Sequence, residues 1–457
     1  VYYDWVADAA PFTGDEHRLI RGALLDYGVK HTLPALQVKS HHDTSNQTLA
    51  LALAAVMIGW VFGRRRGDSP AGAALLEYGL GRLVQLMDQL PVGGYNGEGS
   101  SYMQVVHGPG VVFAAKLLEE ITGDQWMRRP SSATGVAPRD LLRMAAREVT
   151  PGGMLLPWDS HGISPVQNFL LYTTLAAETG DAAWLGLARQ SHGWGYEDNM
   201  LWGLDDKVWA LLWWPDELAP APMAFHPWME PAVAGAVVSR DARIHVVQAW
   251  DECGGQGIRS IRAHANPNTL LIEAHGVPLT VDGKSNGDCP AMVFAGCQRV
   301  ESFYGIPKHQ DWSHGTVGAH NGLVIDGDDG YTPDAAMHGL GGCHAELPGF
   351  QVVSGDVTAC YRAGYAATRV IRSTMLLDER TLVVTDTADF PAPHSVTWRA
   401  YVRPEVHSDG RVASVVTAER LRACIRPLDP ARITVTDLPG FPNTLERRSA
   451  RVDLTYA

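Results

Sequence analysis

The sequence predicts an α+β protein with an N-terminal helical domain and a C-terminal antiparallel β-sandwich. Apolar residues recur at i, i+3, i+4 and i+7 through the first half, which is the period of amphipathic helices. Short alternating runs rich in Val, Thr, Ile and Leu fill the second half. A chain of 457 residues that is 46% apolar is long enough to build two or three cores.

The helical domain is predicted to span residues 1–214. Helices of similar length joined by short Gly, Pro and Asp turns are what an (α/α) toroid requires, although a plain helical bundle has the same periodicity. The chain begins at Val1, in residues typical of the middle of such a domain, so we expect a processed or truncated N-terminus. The predicted helices are 15–27, 46–62, 71–90, 103–122, 140–148, 164–179 and 181–189.

The sandwich is predicted to span residues 232–457. The stretch 213–231 is dense in Pro and Trp, which favours a stiff, packed linker between the two domains, placed at residues 215–231. Beyond it, closely spaced runs separated by Gly, Asp and Asn indicate antiparallel strands. The predicted strands are 234–239, 244–250, 269–274, 277–281, 322–325, 368–376, 381–386 and 396–402.

Charge and composition limit the partners. The formal net charge is −13, so a nucleic acid is a poor candidate, whereas a local cationic cleft can still bind an anionic polymer. The longest apolar run, residues 49–62, is too short to span a bilayer and is expected to be a buried helix. The six cysteines form no CxxC pair, which argues against a zinc-thiolate site and leaves disulfides or buried thiols open. The oligomeric state is open.

Six motifs carry a resemblance to a known family. In the second half they are His264-Ala265-Asn266, LLIEAHGVPLTVDG at 270–283, Ala319-His320-Asn321 before LVIDG, and the hairpin 368–386; the first half contains Ser45-Asn46-Gln47 and GYNGEGSSYM at 94–103. Together they resemble the heparinase II/III-like polysaccharide lyases. The resemblance implies an incomplete (α/α) toroid followed by an antiparallel β-sandwich, and a secreted or periplasmic enzyme.

The resemblance implies β-elimination on a uronic-acid-containing polysaccharide, either a glycosaminoglycan or alginate. The reaction requires neutralisation of the uronate carboxylate, a base for the C5 proton and an acid for the leaving oxygen. Tyr102, in a Gly- and Ser-rich loop before an apolar helix, is expected to be both base and acid. A merely structural tyrosine is the alternative interpretation.

Carboxylate neutralisation is assigned to Asn46, which begins a helix and so lies where anions are favoured. An ordinary capping role is the alternative. Gln47 stands where relatives often have His, and Arg262 replaces another family histidine; a guanidinium can bind a carboxylate but is no ordinary base. His161 is the candidate to supply the missing imidazole.

The remaining candidates are substrate contacts and metal ligands. His42 and Glu98 belong to toroid loops, and Tyr304 and Trp312 offer flat faces for sugar rings or, equally, for core packing. By resemblance, His264, Asp282 and His320 hold a divalent metal, zinc first and manganese or calcium as alternatives, in a structural role. Buried histidines hydrogen-bonded to Asp282 are the alternative.

Two other functions compete with the lyase. A glycoside hydrolase on a helical toroid would need a pair of carboxylates, and no such pair is evident in the sequence. An inactive, carbohydrate-binding relative would explain why Gln47 and Arg262 stand in place of histidines.

Overall fold

The computed structural model describes residues 12–41, 44–90, 107–147, 149–150, 154–155, 164–165, 169–191, 212–223, 228–230, 235–240, 244–249, 268–281, 321–328, 342–347, 350–378, 380–402, 405–417, 420–439 and 448–456. These residues form a helical N-terminal part and a C-terminal part of antiparallel sheets. The predicted order of the two halves is therefore confirmed.

The helical part begins with a long helix that a π-helical turn extends and ends with a helical hairpin. Its helices are α1 (Gly14–Tyr27), α2 (Leu33–Gln37), α3 (Asn46–Trp60), α4 (Pro70–Asp88), α5 (Gly108–Thr122), α6 (Pro138–Arg147), α7 (Phe169–Thr179) and α8 (Ala183–Ser191).

Two differences from the predicted helices have local causes. The predicted helix 164–179 begins only at Phe169, because Ser164–Pro165 forms a short strand, β2, paired with β1 (Met154–Leu155). Proline lacks the amide hydrogen that a helix interior uses. Helix α2 was missed because Gly28 reads as a helix end, whereas the backbone continues through the π-helical turn Gly28–Thr32.

Helices α3 and α4 pack in close contact because glycines line their interface. A Cβ at Gly59 would lie 2.8 Å from the Gly72 carbonyl oxygen and closer still to the Leu76 amide nitrogen. No side chain larger than hydrogen fits there. The two helices supply much of the helical core, which also takes in Val111, Leu171 and other buried residues of α5 and α7.

Among the described residues, one helical stretch is long and apolar enough to cross a membrane. It is Asn46–Arg65, which comprises α3 and the π-helical turn after it. More than half of its apolar window is buried inside the protein, and Leu49, Ala52, Leu53 and Val56 belong to the helical core. This burial agrees with the core helix predicted for residues 49–62.

The C-terminal part consists of antiparallel sheets. One contains β3 (Trp228–Glu230), β4 (Gly235–Arg240), β5 (Ile244–Ala249), β6 (Thr269–Ala274) and β7 (Val277–Pro278), in that order. A second contains β10 (Gly342–Leu347), β11 (Phe350–Asp356), β12 (Arg369–Leu376) and β13 (Leu382–Asp389). Helix α9 (Thr358–Tyr365) connects β11 to β12. Buried side chains of both sheets form one hydrophobic core, which the sandwich prediction requires.

A third sheet is built around β14 (Val396–Val402). One edge of β14 pairs with β19 (Arg448–Tyr456), which pairs in turn with β18 (Arg432–Pro439). The other edge is shared by two short strands, β8 (Thr280–Val281) and β9 (Leu323–Ile325). A small sheet of β15 (Val406–Ser408), β16 (Ala413–Val416) and β17 (Arg422–Ile425) lies beside it.

Tryptophans between the two halves pack onto the helices. The ring of Trp213 lies 5.7 Å from that of Phe113, and Trp214 stacks on Phe169 at the same centroid distance. Both tryptophans directly precede residues 215–231, so the packing of the predicted linker itself stays a prediction. Strand β3 already begins at Trp228, inside the predicted linker.

Candidate active site

The start of α3 separates the two adjacent residues Asn46 and Gln47. Ser45 caps the helix, its hydroxyl accepting from the Thr48 amide at 3.4 Å. Asn46 is 8% exposed, whereas Gln47 is exposed. The two side chains therefore occupy different environments, and Asn46 is held at the amide-rich end of the helix, where anions are favoured.

Lys39 places a positive charge near the start of α3. Its Nζ donates to Gln47 Oε1 at 3.3 Å, so an ammonium group is bound to the side chain that follows Asn46. Lys39 is half-buried. The sequence alone did not single it out, because it lies in a polar stretch with several other candidate residues.

Helix α4 fixes the segment that leads into α3. Arg82 is 4% exposed and donates to the carbonyl oxygens of Ser40 and His41 and to Gln85 Oε1, the last at 2.6 Å. Gln85 Nε2 also donates to the His41 carbonyl at 2.8 Å. The backbone at Ser40 and His41, shortly before α3 begins, is thus tied to α4.

Arg82 was missed at the sequence level, yet a signal was available. It lies in register with the buried residues Leu75, Gly79 and Leu86, so its side chain points from the apolar face of α4. A charged residue on such a face requires partners.

The sandwich brings three chain segments to one edge of β14. Val281, the last residue of β8, pairs with Tyr401, and the Tyr401 amide donates to Asn321 Oδ1 at 2.6 Å. The Asn321 carbonyl in turn accepts from the Leu270 amide at 3.2 Å, at the start of β6. The backbone at positions 270, 281 and 321 therefore meets at one place.

These three positions adjoin the proposed metal ligands in sequence. Asp282 follows Val281 directly, His320 precedes Asn321 directly, and His264 lies four residues before Asn268. His264, Asp282 and His320 themselves lie outside the described residues. Among the described residues alone, no group of three His, Cys, Asp or Glu side chains could hold a metal.

A buried hydrogen bond joins the two halves of the molecule. The Thr150 hydroxyl, in the segment after α6, donates to the Glu273 carboxylate on β6. Both side chains are buried, at 0% and 1% exposure. Glu273 therefore links the strand after Asn268 to the helical part.

His107 precedes α5 and is buried. Its Nδ1 has no hydrogen-bond partner among the described residues, and burial lowers the pKa of the imidazole to about 4. The group is neutral at physiological pH. It lies five residues after Tyr102, and the sequence analysis did not select it.

The chain was compared with known proteins at three levels. It matches no model of a protein family, and no curated protein is detectably similar to it in sequence. Solved structures do match. A crystal structure of a heparinase III is 10% identical, with a TM-score of 0.62 over 91% of this chain and 59% of that one. A heparinase III with methylated lysines gives 12% identity and a TM-score of 0.61 over 93% of this chain and 58% of that one.

The fold is that of heparinase III. The heparan sulfate lyase HepC from Pedobacter heparinus agrees, with a TM-score of 0.61 and 11% identity over 100% of this chain and 69% of that one. The chain spans about three fifths of the length of the heparinase III structures. The heparinase III fold confirms the predicted helical toroid followed by a β-sandwich.

Most of the site residues predicted from sequence lie outside the described residues. Of the predicted catalytic residues, Asn46 and Gln47 lie among the described residues. The residues outside are His42, Glu98, Tyr102, His161, Arg262, His264, Asp282, Tyr304, Trp312 and His320.

Proposed function

We propose that this chain is a polysaccharide lyase that cleaves a uronic-acid-containing polysaccharide by β-elimination. The heparinase III fold over 91–100% of the chain is the observation that supports it best. The position of Asn46, buried at the capped start of α3, supports it further. The substrate is a glycosaminoglycan or alginate, and the enzyme acts outside the cytoplasm, secreted or in the periplasm.

Tyr102 performs both proton transfers in this proposal. As a phenolate it removes the C5 proton, the electron pair forms the C4–C5 double bond, and the C4–O4 bond breaks. The phenol then gives its proton to the leaving oxygen, so the residue ends as it began. The products are an unsaturated uronate end and a free hydroxyl end.

Asn46 neutralises the substrate carboxylate by hydrogen bonding, because charge moves onto that carboxylate as the C5 proton leaves. Lys39 and the buried Arg82 place two cationic side chains near the start of α3. Gln47, Arg262 and His161 complete the proposed catalytic set. The sugar chain is proposed to contact four further side chains, those of His42, Glu98, Tyr304 and Trp312.

A divalent metal, zinc first and manganese or calcium as alternatives, is proposed at His264, Asp282 and His320. Two imidazoles and a carboxylate form a donor set that zinc accepts. The convergence of the backbone at positions 270, 281 and 321 beside β14 supports this ligand set. When bound, the ion stiffens the backbone beneath the cleft, and the proton transfers are left to the protein's own side chains.

The lyase reaction is tested by the absorbance of its product. Digests of heparan sulfate, chondroitin sulfate, hyaluronan and alginate should gain absorbance at about 232 nm with one of them, because β-elimination leaves a conjugated uronate. Tyr102→Phe keeps the ring and removes the transferring group, so turnover should collapse while thermal stability changes little.

Two outcomes would reject the proposal. New reducing ends without absorbance at this wavelength would indicate hydrolysis, and binding of a polymer without any product would indicate an inactive relative. Wild-type turnover in Tyr102→Phe would reject the assignment of the base and redirect attention to His161 or His42.

A further inference from the structure

Arg372 on β12 is a fully buried cation with an unusual set of partners. Its Nε and Nη2 donate to the two carboxylate oxygens of Asp386 on β13, each at 2.9 Å. Its Nη1 donates to two backbone carbonyls, that of Asn268 at 2.6 Å and that of Asn321 at 3.1 Å. Four of the five N–H groups of the guanidinium are thereby used.

The two carbonyl acceptors belong to different chain segments. Asn268 opens the turn into β6, and Asn321 precedes β9. Because one nitrogen atom binds both oxygens, the guanidinium sets the spacing between the two segments. The guanidinium is fully buried, so its remaining N–H groups need acceptors, and Nη1 finds two in separate chain segments.

Asn268 is fixed by its side chain as well. Its backbone has a φ of 56°, a conformation that Asn tolerates better than most residues. Its Oδ1 accepts from Gln248 Nε2 at 3.1 Å, and its Nδ2 donates to the Gly355 carbonyl at 2.8 Å. Gln248 also donates to the Arg372 carbonyl at 3.2 Å. The bonds that Asn268 and Gln248 make are buried and so protected from competing water, whereas the side chain of Asp386 is 16% exposed.

We propose that Arg372 is a positioning residue of the active site, whose guanidinium holds the backbone at Asn268 and Asn321 in register. Asn268 follows the segment that contains the proposed catalytic Arg262 and metal ligand His264, and Asn321 directly follows the proposed metal ligand His320. Arg372 contacts no substrate in this role; it acts through the two carbonyls. The inference rests on the proposed lyase function for its catalytic consequence.

Arginine is required because of its geometry. The planar guanidinium binds a carboxylate through Nε and Nη2, and its remaining nitrogen, Nη1, binds two carbonyls. The ammonium group of lysine is a single point charge. Arg372→Lys therefore retains the charge beside Asp386 and loses the spacing between the two carbonyls.

The molecule offers a matched control pair. Arg399 on β14 is 4% exposed and donates to Asp453 on β19 at 2.8 Å and 3.3 Å. In both pairs the Arg and the Asp are direct cross-strand neighbours. Arg399→Lys thus makes the same chemical change in the same kind of buried ion pair.

The experiment compares the two lysine variants in the full chain. On whichever of the four named polymers wild type cleaves, Arg372→Lys should lower kcat about a hundredfold with KM within about threefold, as expected for misplaced reacting groups. Hydrogen exchange should accelerate in peptides containing Leu270 and Tyr401, whose amides donate to Asn321. Arg399→Lys should lower the melting temperature comparably and leave kcat within about threefold.

The outcomes separate the two proposals. A folded Arg372→Lys protein with wild-type kcat and unchanged exchange would overturn the positioning role. If wild type cleaves none of the polymers, the lyase proposal fails, while the exchange comparison still decides whether Arg372 holds the two segments.

A second variant covers the case in which Arg372→Lys does not fold. Asn268→Gly keeps the carbonyl acceptor and allows the positive φ, but removes the bonds to Gln248 and Gly355. It should accelerate exchange at Leu270 and lower kcat by about tenfold, a smaller loss in the same direction. Wild-type exchange and kcat in this variant would also count against the proposal.

Discussion

Asn46 and Gln47 are adjacent in α3, yet the rotation of the helix between them places their side chains in different environments. Asn46 is buried at the helix start, and Gln47 is exposed and bound by Lys39. The sequence motif placed both in the catalytic set, and periodicity alone does not say which of two adjacent residues faces inward. Only the packing of α3 against its neighbours distinguishes them.

Substitution of Asn46 should affect catalysis more than folding. Asn46→Ala removes one donor to the carboxylate and should lower kcat about a hundredfold. Asn46→Asp keeps the shape, and a negative charge in the first helical turn is favourable. It should nevertheless reduce turnover at least as far, because it repels the substrate carboxylate. Steady-state kinetics with thermal denaturation tests this; an active Asn46→Asp would contradict the role.

His107 should make stability depend on pH. Its pKa in the folded state is about 4, below the value of about 6.5 for an unperturbed histidine, so the unfolded state binds the proton more tightly between these values. Its contribution to stability is therefore full above pH 6.5 and is lost as pH falls towards 4. Between about pH 7.5 and about pH 5 the loss should be about 2 kcal/mol.

Urea unfolding at the two pH values measures this loss. His107→Gln cannot titrate, so its free energy of unfolding should vary less with pH than that of wild type, by roughly the same amount. An identical pH dependence in the two proteins would show that the imidazole titrates normally.

At the scale of elements, the α3–α4 contact offers a prediction with an internal control. Gly59→Ala would place a Cβ 2.8 Å from the Gly72 carbonyl oxygen, so it should destabilise by about 1–3 kcal/mol through overpacking. Gly81→Ala, on α4 with nothing within 4 Å of the new Cβ, should instead stabilise by about 0.5–1 kcal/mol. Urea denaturation distinguishes the signs. If both variants change the free energy of unfolding equally, the close approach of α3 and α4 does not depend on the interface glycines.

Sequence periodicity located most of the long helices and only part of the strands. The amphipathic pattern located α1, α3, α4 and α5, and alternation located β6 and β14. The strands β15 to β19 and helix α9 were missed, because their sequences contain charged and turn-forming residues and are organised by pairing with distant strands. Pairing between β14 and β19 is an example that no local pattern encodes.

The buried polar network around Arg372 could not be predicted either. The motif analysis treated β12 and β13 as a family hairpin, which is correct as topology. Which side chains cross from this hairpin to Asn268 and Asn321 depends on how two sheets face each other. The available signal was that Arg372 alternates in register with the buried Val370 and Leu376 of β12, where a charged residue needs partners.

At the scale of the whole molecule, the proposed metal predicts that metal content and melting temperature change together. Protein purified without added metal should contain close to one divalent ion per chain, and His264→Ala should lower both occupancy and melting temperature. A strong chelator should lower the melting temperature of wild type, with little further effect on the variant. Full stability of metal-free wild type would contradict a structural role for the ion.

The two halves are linked by polar as well as apolar contacts. The bond from Thr150 to Glu273 is buried, and Glu273 lies on β6, the strand that follows Asn268. Movement of the helical part against the sandwich would therefore displace the backbone that Arg372 holds. The backbone at Asn268 and the packing of the helical part on the sandwich therefore belong to one connected structure.

The shared edge of β14 has a consequence for how such proteins diversify. Val281 and Asn321 are both attached to β14, the first by strand pairing and the second through the Tyr401 amide. When the two ends of an intervening segment are held together, each doubling of its length costs only about 0.6 kcal/mol of closure entropy. The number of residues between these two attachment points can therefore change at little cost while β14 keeps its register.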